Sequence, residues 1–219
     1  MTSSRPDSIR LVIGTRNRKK GEEMAELIHP AWEPNPHLAR LSVGSLADHP
    51  EVADVVEDAD TFAGNARKKA SETALSLRSW VLADDSGLTV DALNGAPGVF
   101  SARYAGAHGD DDANNRKLLD ALAALSDDQR GAAFVCHIAL ADPDGTIRLE
   151  SEGACRGRIT RAPQGNNGFG YDPLFLIPEY HKTFGELSSV VKRQLSHRAR
   201  AFSRFRDDLA RLIASNAMG

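Results

Sequence analysis

Two adjacent carboxylates, Asp84 and Asp85, follow the short apolar run Val81–Ala83. The run predicts a strand that draws the pair toward a buried edge, where unpaired carboxylates are costly. Neighbouring side chains of a strand point to opposite faces, so we expect the two carboxylates to do different jobs. One suits a hard cation such as Mg²⁺, and the other suits a water molecule or a lysine. A solvated acidic turn is the alternative interpretation of this segment.

A basic, polar segment lies between the first predicted strand, Arg10–Gly14, and a helix predicted over Gly21–His29. Hydroxyl, amide and cationic side chains close to a helix N-terminus suit the binding of an oligophosphate. The segment is not a P-loop, because the glycine spacing and the Lys-Ser/Thr pair are absent. A solvated basic loop with Asn17 as the helix cap is the alternative. The side chains of the segment are Thr15, Arg16, Asn17, Arg18, Lys19 and Lys20.

A third candidate is the segment Gly168–Pro173, in which two glycines flank an aromatic residue. The glycines let the backbone approach a ligand and present the ring of Phe169 to it. A base that stacks on such a ring gains about 1–3 kcal/mol. Asp172 could then accept a hydrogen bond from a ring N–H. The alternative is a glycine-rich turn that packs its aromatic side chains inward.

The last predicted helix, Arg198–Ile213, is preceded by Ser196, which is a good N-cap residue. We therefore expect His197 and Arg198 in the first turn, with their donors pointing outward. Donors at this position could read the O6 atom of a purine, which inosine and xanthosine carry and adenine lacks. A capped helix with two polar surface residues is the alternative.

Strands and helices are mixed along the rest of the chain, which favours an α/β or α+β fold with a mixed sheet. A helix is predicted with Asp60 or Thr61 as its N-cap, and the turn Asp142–Gly145 predicts a β-hairpin. The predicted elements are a weak strand at Leu38–Val43, helices at Thr61–Arg78 and Asp112–Leu125, strands at Trp80–Ala83 and Leu88–Asp91, hairpin strands at Ala132–Ala141 and Thr146–Cys155, and a strand at Leu174–Ile177.

The composition is that of an ordinary globular protein, with 219 residues, 41% apolar content and a formal charge of −3. This length suits one large α/β domain or two small lobes that share a core. The lack of a basic surplus argues against nucleic acid as the main partner, whereas a small anionic ligand needs only a local cluster of cations. No run of about 18 apolar residues predicts a membrane span.

Cysteine usage and the N-terminal residues predict a cytoplasmic protein. Cys136 and Cys155 are too few for a disulfide framework, and no Cys-x-x-Cys spacing occurs, so we expect reduced thiols. The segment Met1–Ser8 is polar and lacks the pattern of a signal peptide; it is a candidate for disorder.

The motifs occur in one order along almost the whole chain, from Arg10 to about Leu212. This series resembles the inosine/xanthosine triphosphate pyrophosphatase family, which removes non-standard purine nucleotides. Each motif alone is weak, but their joint order and spacing are specific. The motifs are Thr15-x-Asn17-x-x-Lys20, Thr61-Phe62 with Asn65-Ala66 and Lys69, Ala83–Leu88, Gly95–Gly98, Ser101–Tyr104, Gly168–Pro173 and Ser196–Arg198.

The resemblance implies a long mixed β-sheet with flanking helices, arranged as two lobes around a central cleft in a single domain over residues 1–219. It also implies a homodimer and Mg²⁺-dependent hydrolysis of ITP, dITP and XTP between the α- and β-phosphates. Asp85 is the implied general base, and Glu57, Asp84 and Asp85 are the implied metal ligands. The implied substrate contacts are Thr15, Arg16, Asn17, Arg18, Lys19, Lys20, Lys69, Ser86, Phe169, Gly170, Tyr171, Asp172, Lys192, His197 and Arg198.

Two positions depart from the family pattern. Arg16 stands where the family often has glycine, so the loop is expected to be stiffer or to carry extra charge. The family often has two adjacent glutamates where this chain has Glu57 preceded by Val56 and followed by Asp58, which leaves open whether Glu57 or Asp58 binds metal.

Two other functions compete with this interpretation. A related pyrophosphatase for modified pyrimidine nucleotides would share the catalytic residues, but Gly168–Asp172 and Ser196–Arg198 favour purines. A non-catalytic sensor of purine nucleotides would not need the carboxylates Asp84 and Asp85.

Overall fold

A computed structural model describes residues 8–30 and 33–218 of the protein. The predicted disorder of Met1–Ser8 therefore concerns residues that, apart from Ser8, lie outside the described residues. The chain divides into two compact units. The first unit contains the residues up to Asp85, together with His137–Ser151 and the residues from Ala201 onward. The second unit contains Ser86–Cys136 and Glu152–Arg200.

The strands form one seven-stranded sheet in the order β2-β1-β3-β4-β5-β6-β7. β1 pairs in parallel with both β2 and β3, whereas β6 pairs antiparallel with both β5 and β7. The predicted mixed sheet is therefore confirmed. The strands are β1 Ile9–Ile13, β2 Leu41–Ser45, β3 Trp80–Val90, β4 Gly131–Ala141, β5 Ile147–Ile159, β6 Phe175–Ile177 and β7 Lys182–Thr183.

Three of the helices begin at side-chain caps that the sequence had predicted. The side chains of Asn17, Thr61 and Ser196 accept hydrogen bonds from backbone N–H groups in the first turns that follow them. The helices are α1 Arg18–Ile28, α2 Phe62–Leu77, α3 Asp111–Ala121, α4 Ser189–Leu195 and α5 His197–Ala214. In the described part of the chain, no helix is long and apolar enough to span a bilayer.

β3 is longer than predicted and corrects the prediction for the two acidic residues. The sequence predicts two separate strands, Trp80–Ala83 and Leu88–Asp91, with Asp84–Gly87 at the end of the first, but β3 runs without a break from Trp80 to Val90. Charged residues are unfavourable inside a strand unless they are paired. Asp84 and Asp85 lie within this strand because each forms an ion pair with a lysine.

In the first unit, α2 packs closely against the sheet through small side chains. Alanines spaced four residues apart form one face of the helix and let its backbone approach the strands. The contact contains Ala66, Ala70 and Ala74 of α2 with Val12, Val81, Ala83, Ala139 and Ala141. This packing fixes the position of the polar side chains that α2 carries beside the same strands.

The core of the second unit is aromatic. The ring of Phe175 lies 4.6 Å from that of Phe134 and 5.4 Å from that of Phe184, measured between centroids. Leu118 and Leu122 pack into the same cluster and anchor α3 and the residue after its end. Such dense aromatic packing gives the loops of this unit a rigid support.

Candidate active site

Asp84 and Asp85 are both buried, with 3% and 8% of their surface exposed. The Oδ1 atom of Asp84 lies 2.8 Å from Nζ of Lys20, and the Oδ1 atom of Asp85 lies 3.4 Å from Nζ of Lys69. The adjacent carboxylates thus have different lysine partners, as expected from the alternation of side chains along a strand.

Glu57 shares the lysine of Asp85. The Nζ atom of Lys69 lies 3.1 Å from Oε1 of Glu57, so two carboxylates meet at one ammonium group. Asp58 instead pairs with Lys68, its carboxylate oxygen lying 2.5 Å from Nζ. Of the two acidic residues that the sequence left open, Glu57 is therefore the one associated with Asp85.

Asn65 is a functional candidate that the sequence analysis did not place among the site residues. Its side chain is fully buried, and its Nδ2 donates to Oδ2 of Asp85 at 3.1 Å. Its Oδ1 accepts from the backbone N–H of Ala59 at 3.0 Å, two residues after Glu57. The signal in the sequence is the spacing of four residues between Asn65 and Lys69, which puts both on one face of α2.

A second ion pair holds α2 against the sheet. The guanidinium of Arg67 donates to both carboxylate oxygens of Glu150, at 2.6 and 3.0 Å, and His137 contacts the same carboxylate at 3.0 Å. A bidentate pair of this kind fixes geometry as well as charge. It restrains the helix that carries Asn65 and Lys69.

The local electrostatics keep a cation among the carboxylates. Burial raises the pKa of Asp85, while the charge of Lys69 acts in the opposite direction. Burial opposes the charged form of Lys69 as well, but the neighbouring Asp85, Asp84 and Glu57 outweigh burial and raise the pKa of this lysine. Lys69 is therefore an ammonium ion, and Asp85 binds a proton more readily than an exposed aspartate does.

The donor set suits Mg²⁺ when substrate supplies the remaining ligands. Among the described residues, no three His, Cys, Asp or Glu side chains form a complete metal site, so the predicted trio does not form one cluster. The reason is that Asp84 and Asp85, as neighbours on a strand, face different partners. Mg²⁺ is commonly held by one or two carboxylates plus phosphate oxygens and water, and Glu57 with Asp85 provides such a pair.

The predicted phosphate loop is ordered by its own side chains. Oγ1 of Thr15 accepts from the N–H of Asn17 at 3.2 Å, and Oδ1 of Asn17 accepts from the N–H of Lys20 at 3.1 Å. Asn17 is thus the helix cap that the alternative interpretation predicted. Capping and phosphate binding remain compatible, since Lys20 extends to Asp84 and the side chains of Arg18 and Lys19 are exposed.

The side chain of Arg16 contacts the segment from Leu46 to Asp54 rather than the other side chains of the predicted phosphate loop. Its guanidinium donates to the carbonyls of Leu46, His49 and Val52 and forms an ion pair with Asp54 at 2.6 Å. These contacts support the prediction of a stiffer loop rather than that of extra charge beside a ligand. Substrate binding by Arg16 stays a prediction.

A cavity of about 240 Å³ lies between α1 and β2 in the first unit. Arg18 is the predicted site residue that contributes to its lining. Its lining does not include Lys20, Asp84 or Asp85. The cavity and the cluster of carboxylates and lysines are therefore different places in the first unit.

In the second unit, the loop around Phe169 presents an aromatic ring. Phe169 is 57% exposed, and Nζ of Lys192 lies 4.8 Å from the centroid of its ring. The Oδ2 atom of Asp172 accepts from the N–H of Phe169 at 2.8 Å and from the ammonium of Lys192. A Cβ atom at Gly168 would lie 2.0 Å from this oxygen, which explains why glycine occurs there.

Tyr171 behaves differently from Phe169, because its side chain is only 4% exposed. Its hydroxyl donates to the carbonyl of Ser101 at 2.8 Å. Burial raises the pKa of Tyr171, so the phenol keeps the proton that it donates. The inward packing that the alternative interpretation predicted thus applies to Tyr171, and not to Phe169.

His197 and Arg198 lie in the first turn of α5, but their predicted outward orientation is wrong. Both side chains are buried. The imidazole of His197 stacks on the ring of Phe134, with centroids 5.1 Å apart, and Arg198 donates to Oγ of Ser86 at 3.3 Å. The aromatic core of the second unit attracts the imidazole, which a helical pattern alone does not reveal.

Comparison with known proteins identifies the family. A model of the Ham1 family matches residues 11–208 of the chain. The chain belongs to the Ham1 family. A Ham1 protein from Coxiella burnetii has a similar structure, with a TM-score of 0.82 and 38% sequence identity over 93% of this chain and 99% of its own. The predicted α/β fold with a mixed sheet and flanking helices is thus shared with a solved Ham1 protein.

Sequence relatives agree with the Ham1 assignment. The dITP/XTP pyrophosphatase of Rhodopirellula baltica is 56% identical over 207 residues, which cover 94% of this chain and 96% of that protein. The dITP/XTP pyrophosphatase of Shouchella clausii is 47% identical over 199 residues, which cover 91% and 96%. The resemblance inferred from the order of the motifs is therefore confirmed.

Proposed function

We propose that this Ham1 protein hydrolyses ITP, dITP and XTP to the nucleoside monophosphate and pyrophosphate, and so removes them from the nucleotide pool. The observation that carries the proposal is the convergence of the buried carboxylate of Asp85 and the half-buried carboxylate of Glu57 on the ammonium of Lys69. The names of the relatives from R. baltica and S. clausii support the substrate class.

Glu57 and Asp85 are the residues that would hold Mg²⁺, with Asp84 kept beside them by Lys20. When bound, the metal supplies charge neutralisation for the phosphate oxygens and a Lewis acid for the scissile phosphoanhydride. Lys20 and Lys69 contribute positive charge for the same oligophosphate. Asn65 fixes the carboxylate of Asp85 relative to the segment that carries Glu57.

Asp85 acts as general base in this proposal. It accepts a proton from a water molecule whose oxygen forms a bond to the α-phosphorus. The bond between the α-phosphorus and the bridging oxygen breaks, and pyrophosphate leaves with the electron pair. The buried position of Asp85 and its raised pKa make it a stronger base than an exposed aspartate. Little covalent work by the protein is needed, because phosphoryl transfer depends mainly on positioning and charge.

The second unit provides base recognition. The exposed ring of Phe169 stacks on the purine, and Lys192 and Asp172 hold that ring in place. Although His197 and Arg198 are buried and Arg198 donates to Ser86, we propose that both supply donors for the purine O6 atom. Adenine would leave those donors unpaired at its amino group, so we expect adenine nucleotides to be poor substrates.

The proposal also covers assembly and location. We infer a homodimer that acts in the cytoplasm, on the strength of family resemblance and of a substrate drawn from the nucleotide pool. Light scattering coupled to gel filtration is expected to give twice the 23.6 kDa mass of the chain. A particle of the single-chain mass would contradict the dimer. The single two-lobed domain predicted from the sequence also stays a prediction.

The test of the proposed function is pyrophosphate release from ITP, dITP, XTP, ATP, GTP and CTP with Mg²⁺. We expect rapid release from the first three and slow release from the others. Preference for CTP or for modified pyrimidine nucleotides would favour the pyrimidine-directed function. Binding of ITP without any release of pyrophosphate would contradict the enzymatic function and favour a non-catalytic sensor of purine nucleotides.

A further inference from the structure

We propose that Asp111 and Asn115 of α3 are positioning residues for base recognition, because they hold the loop that carries Phe169. The inference rests on the proposed role of Phe169 in stacking on the purine. Neither α3 residue belongs to the motifs that pointed to a nucleotide site, and both act through the backbone of Gly170.

The contacts clamp both polar backbone groups of one residue. The N–H of Gly170 donates to Oδ2 of Asp111 at 2.7 Å. The carbonyl of Gly170 accepts from Nδ2 of Asn115 at 3.0 Å. Residues 111 and 115 are one helical turn apart, so their side chains leave the same face of α3 and fix the orientation of the peptide groups next to Phe169.

The clamp adds to the hydrogen bond that Asp172 of the same loop accepts from the N–H of Phe169, because the two glycines of the loop give its backbone many accessible conformations. Gly168 and Gly170, on either side of Phe169, have φ values of +80° and +61°. Glycine loses more conformational freedom on ordering than any other residue. The ring of Phe169 is largely exposed, so burial contributes little to holding it, and its ring contact with Lys192 leaves the other side open. Without the clamp, the loop would lose conformational entropy when the base binds, and this loss would weaken binding.

α3 is a suitable support because it is itself anchored at several points. Asp110 caps the helix by accepting from the N–H of Ala113 at 2.9 Å, and Asn114 accepts from the N–H of Ala105 at 2.7 Å. Leu118 is fully buried in the aromatic core of the second unit. The clamp therefore transmits the rigidity of the core to the ring of Phe169.

If Asp111 and Asn115 position Phe169, their removal should lower the affinity for ITP and leave the rate of hydrolysis unchanged. Asp111→Ala and Asn115→Ala should each weaken ITP binding and raise KM roughly three- to tenfold, the effect of one lost hydrogen bond, with kcat retained. Asp111→Asn keeps an acceptor for Gly170 and should bind as the wild type does. Asp112→Ala removes the same charge from the same first turn of α3, at an exposed side chain, and so it is the matched control.

The experiment measures ITP affinity by calorimetry in EDTA and steady-state KM and kcat with Mg²⁺, after thermal melts show that each variant is folded. The double variant with Phe169→Ala distinguishes a positioning role of Asp111 from a general effect on the structure. If Asp111 acts by positioning Phe169, Asp111→Ala should cause no further loss of affinity once the ring is absent. An alanine variant that binds as the wild type does, or an undiminished loss in the Phe169→Ala background, would overturn the inference. If Asn115→Ala does not fold, the Asp111 variants decide alone.

Two outcomes distinguish a failure of the proposed function from a failure of the inference about α3. A wild-type protein that neither binds nor hydrolyses ITP overturns the proposed function and the inference together. A wild-type protein that hydrolyses ITP while Asp111→Ala matches its affinity overturns the inference alone.

Discussion

The carboxylate cluster of the first unit and the aromatic loop of the second unit are built in opposite ways. Asp85 and Lys69 are buried, lie on a strand and a helix, and are restrained by Asn65 and by the packing of α2. Phe169 is exposed and lies between glycines with positive φ. Its N–H donates to Asp172 of the same loop, and the backbone of the next residue, Gly170, is held by Asp111 and Asn115 of α3.

Each region has the property that its proposed role requires. Under the proposed function, the buried charges of the first unit must be oriented before substrate arrives, because their reorganisation would slow hydrolysis. A ring that stacks on a base must stay accessible, so its support acts through the backbone. Substitutions in the first cluster should therefore change catalysis and metal use, whereas those in the aromatic loop should change affinity.

The largest effect is expected for Asp85→Asn. Loss of the general base should lower kcat for ITP by about 10²- to 10⁴-fold, the usual contribution of acid–base catalysis. Pyrophosphate release under saturating substrate measures it. Asp58→Asn, at the exposed partner of Lys68, is the control and should keep kcat. If Asp85→Asn retains full activity, Asp85 is not the general base.

Lys69→Met should destabilise the metal-free protein strongly. Glu57 and Asp85 then lose their shared cation, and removing one partner of a buried ion pair costs about 3–5 kcal/mol. Thermal melts in EDTA should show the loss, and Mg²⁺ should restore more stability to this variant than to the wild type. The neighbouring Lys68→Met, whose partners are more exposed, provides the comparison. A melt that does not respond to Mg²⁺ would argue against metal at this pair.

Asn65→Ala should weaken Mg²⁺ binding about 10- to 100-fold, as removal of groups that orient metal ligands usually does. Binding of Mn²⁺ to the protein, followed by electron paramagnetic resonance, measures this without turnover. Ser76→Ala, farther along α2, changes an exposed hydroxyl that bonds only its own helix, and is the control. Unchanged Mn²⁺ affinity in Asn65→Ala would show that Asp85 is held by other contacts.

Arg16→Ala is expected to have the smallest effect on function. The variant loses the contacts to the segment from Leu46 to Asp54 and should lower stability by about 1–3 kcal/mol, since it leaves carbonyls without donors. The KM for ITP should stay near the wild-type value. A large increase in KM would restore Arg16 to the substrate-binding residues.

Local features were predictable from the sequence, and contacts between distant segments were not. Asn17, Thr61 and Ser196 were identified as caps because a cap bonds N–H groups only two or three residues away. Alternation and a turn predict the hairpin of β4 and β5. The continuity of β3 through Asp84 and Asp85 is not predictable, because charged residues are unfavourable inside a strand unless they are paired.

The missing parts of the site depend on tertiary contacts. Asn65 reaches Asp85 across 20 residues of sequence, and Arg16 reaches Asp54 across 38, so neither role has a local pattern. The same holds for His197, which is buried because Phe134 lies beside it. α4 was not predicted, since seven residues are too few to show helical periodicity.

The most direct test of the division between chemistry and recognition compares Asp85→Asn with Phe169→Leu, by measuring kcat and KM for ITP under the same Mg²⁺ concentration. We expect Asp85→Asn to lose kcat with little change in KM, and Phe169→Leu to raise KM while keeping kcat. If Phe169→Leu instead loses kcat, or if Asp85→Asn changes KM alone, the assignment of hydrolysis to the first unit and of base recognition to the second is wrong.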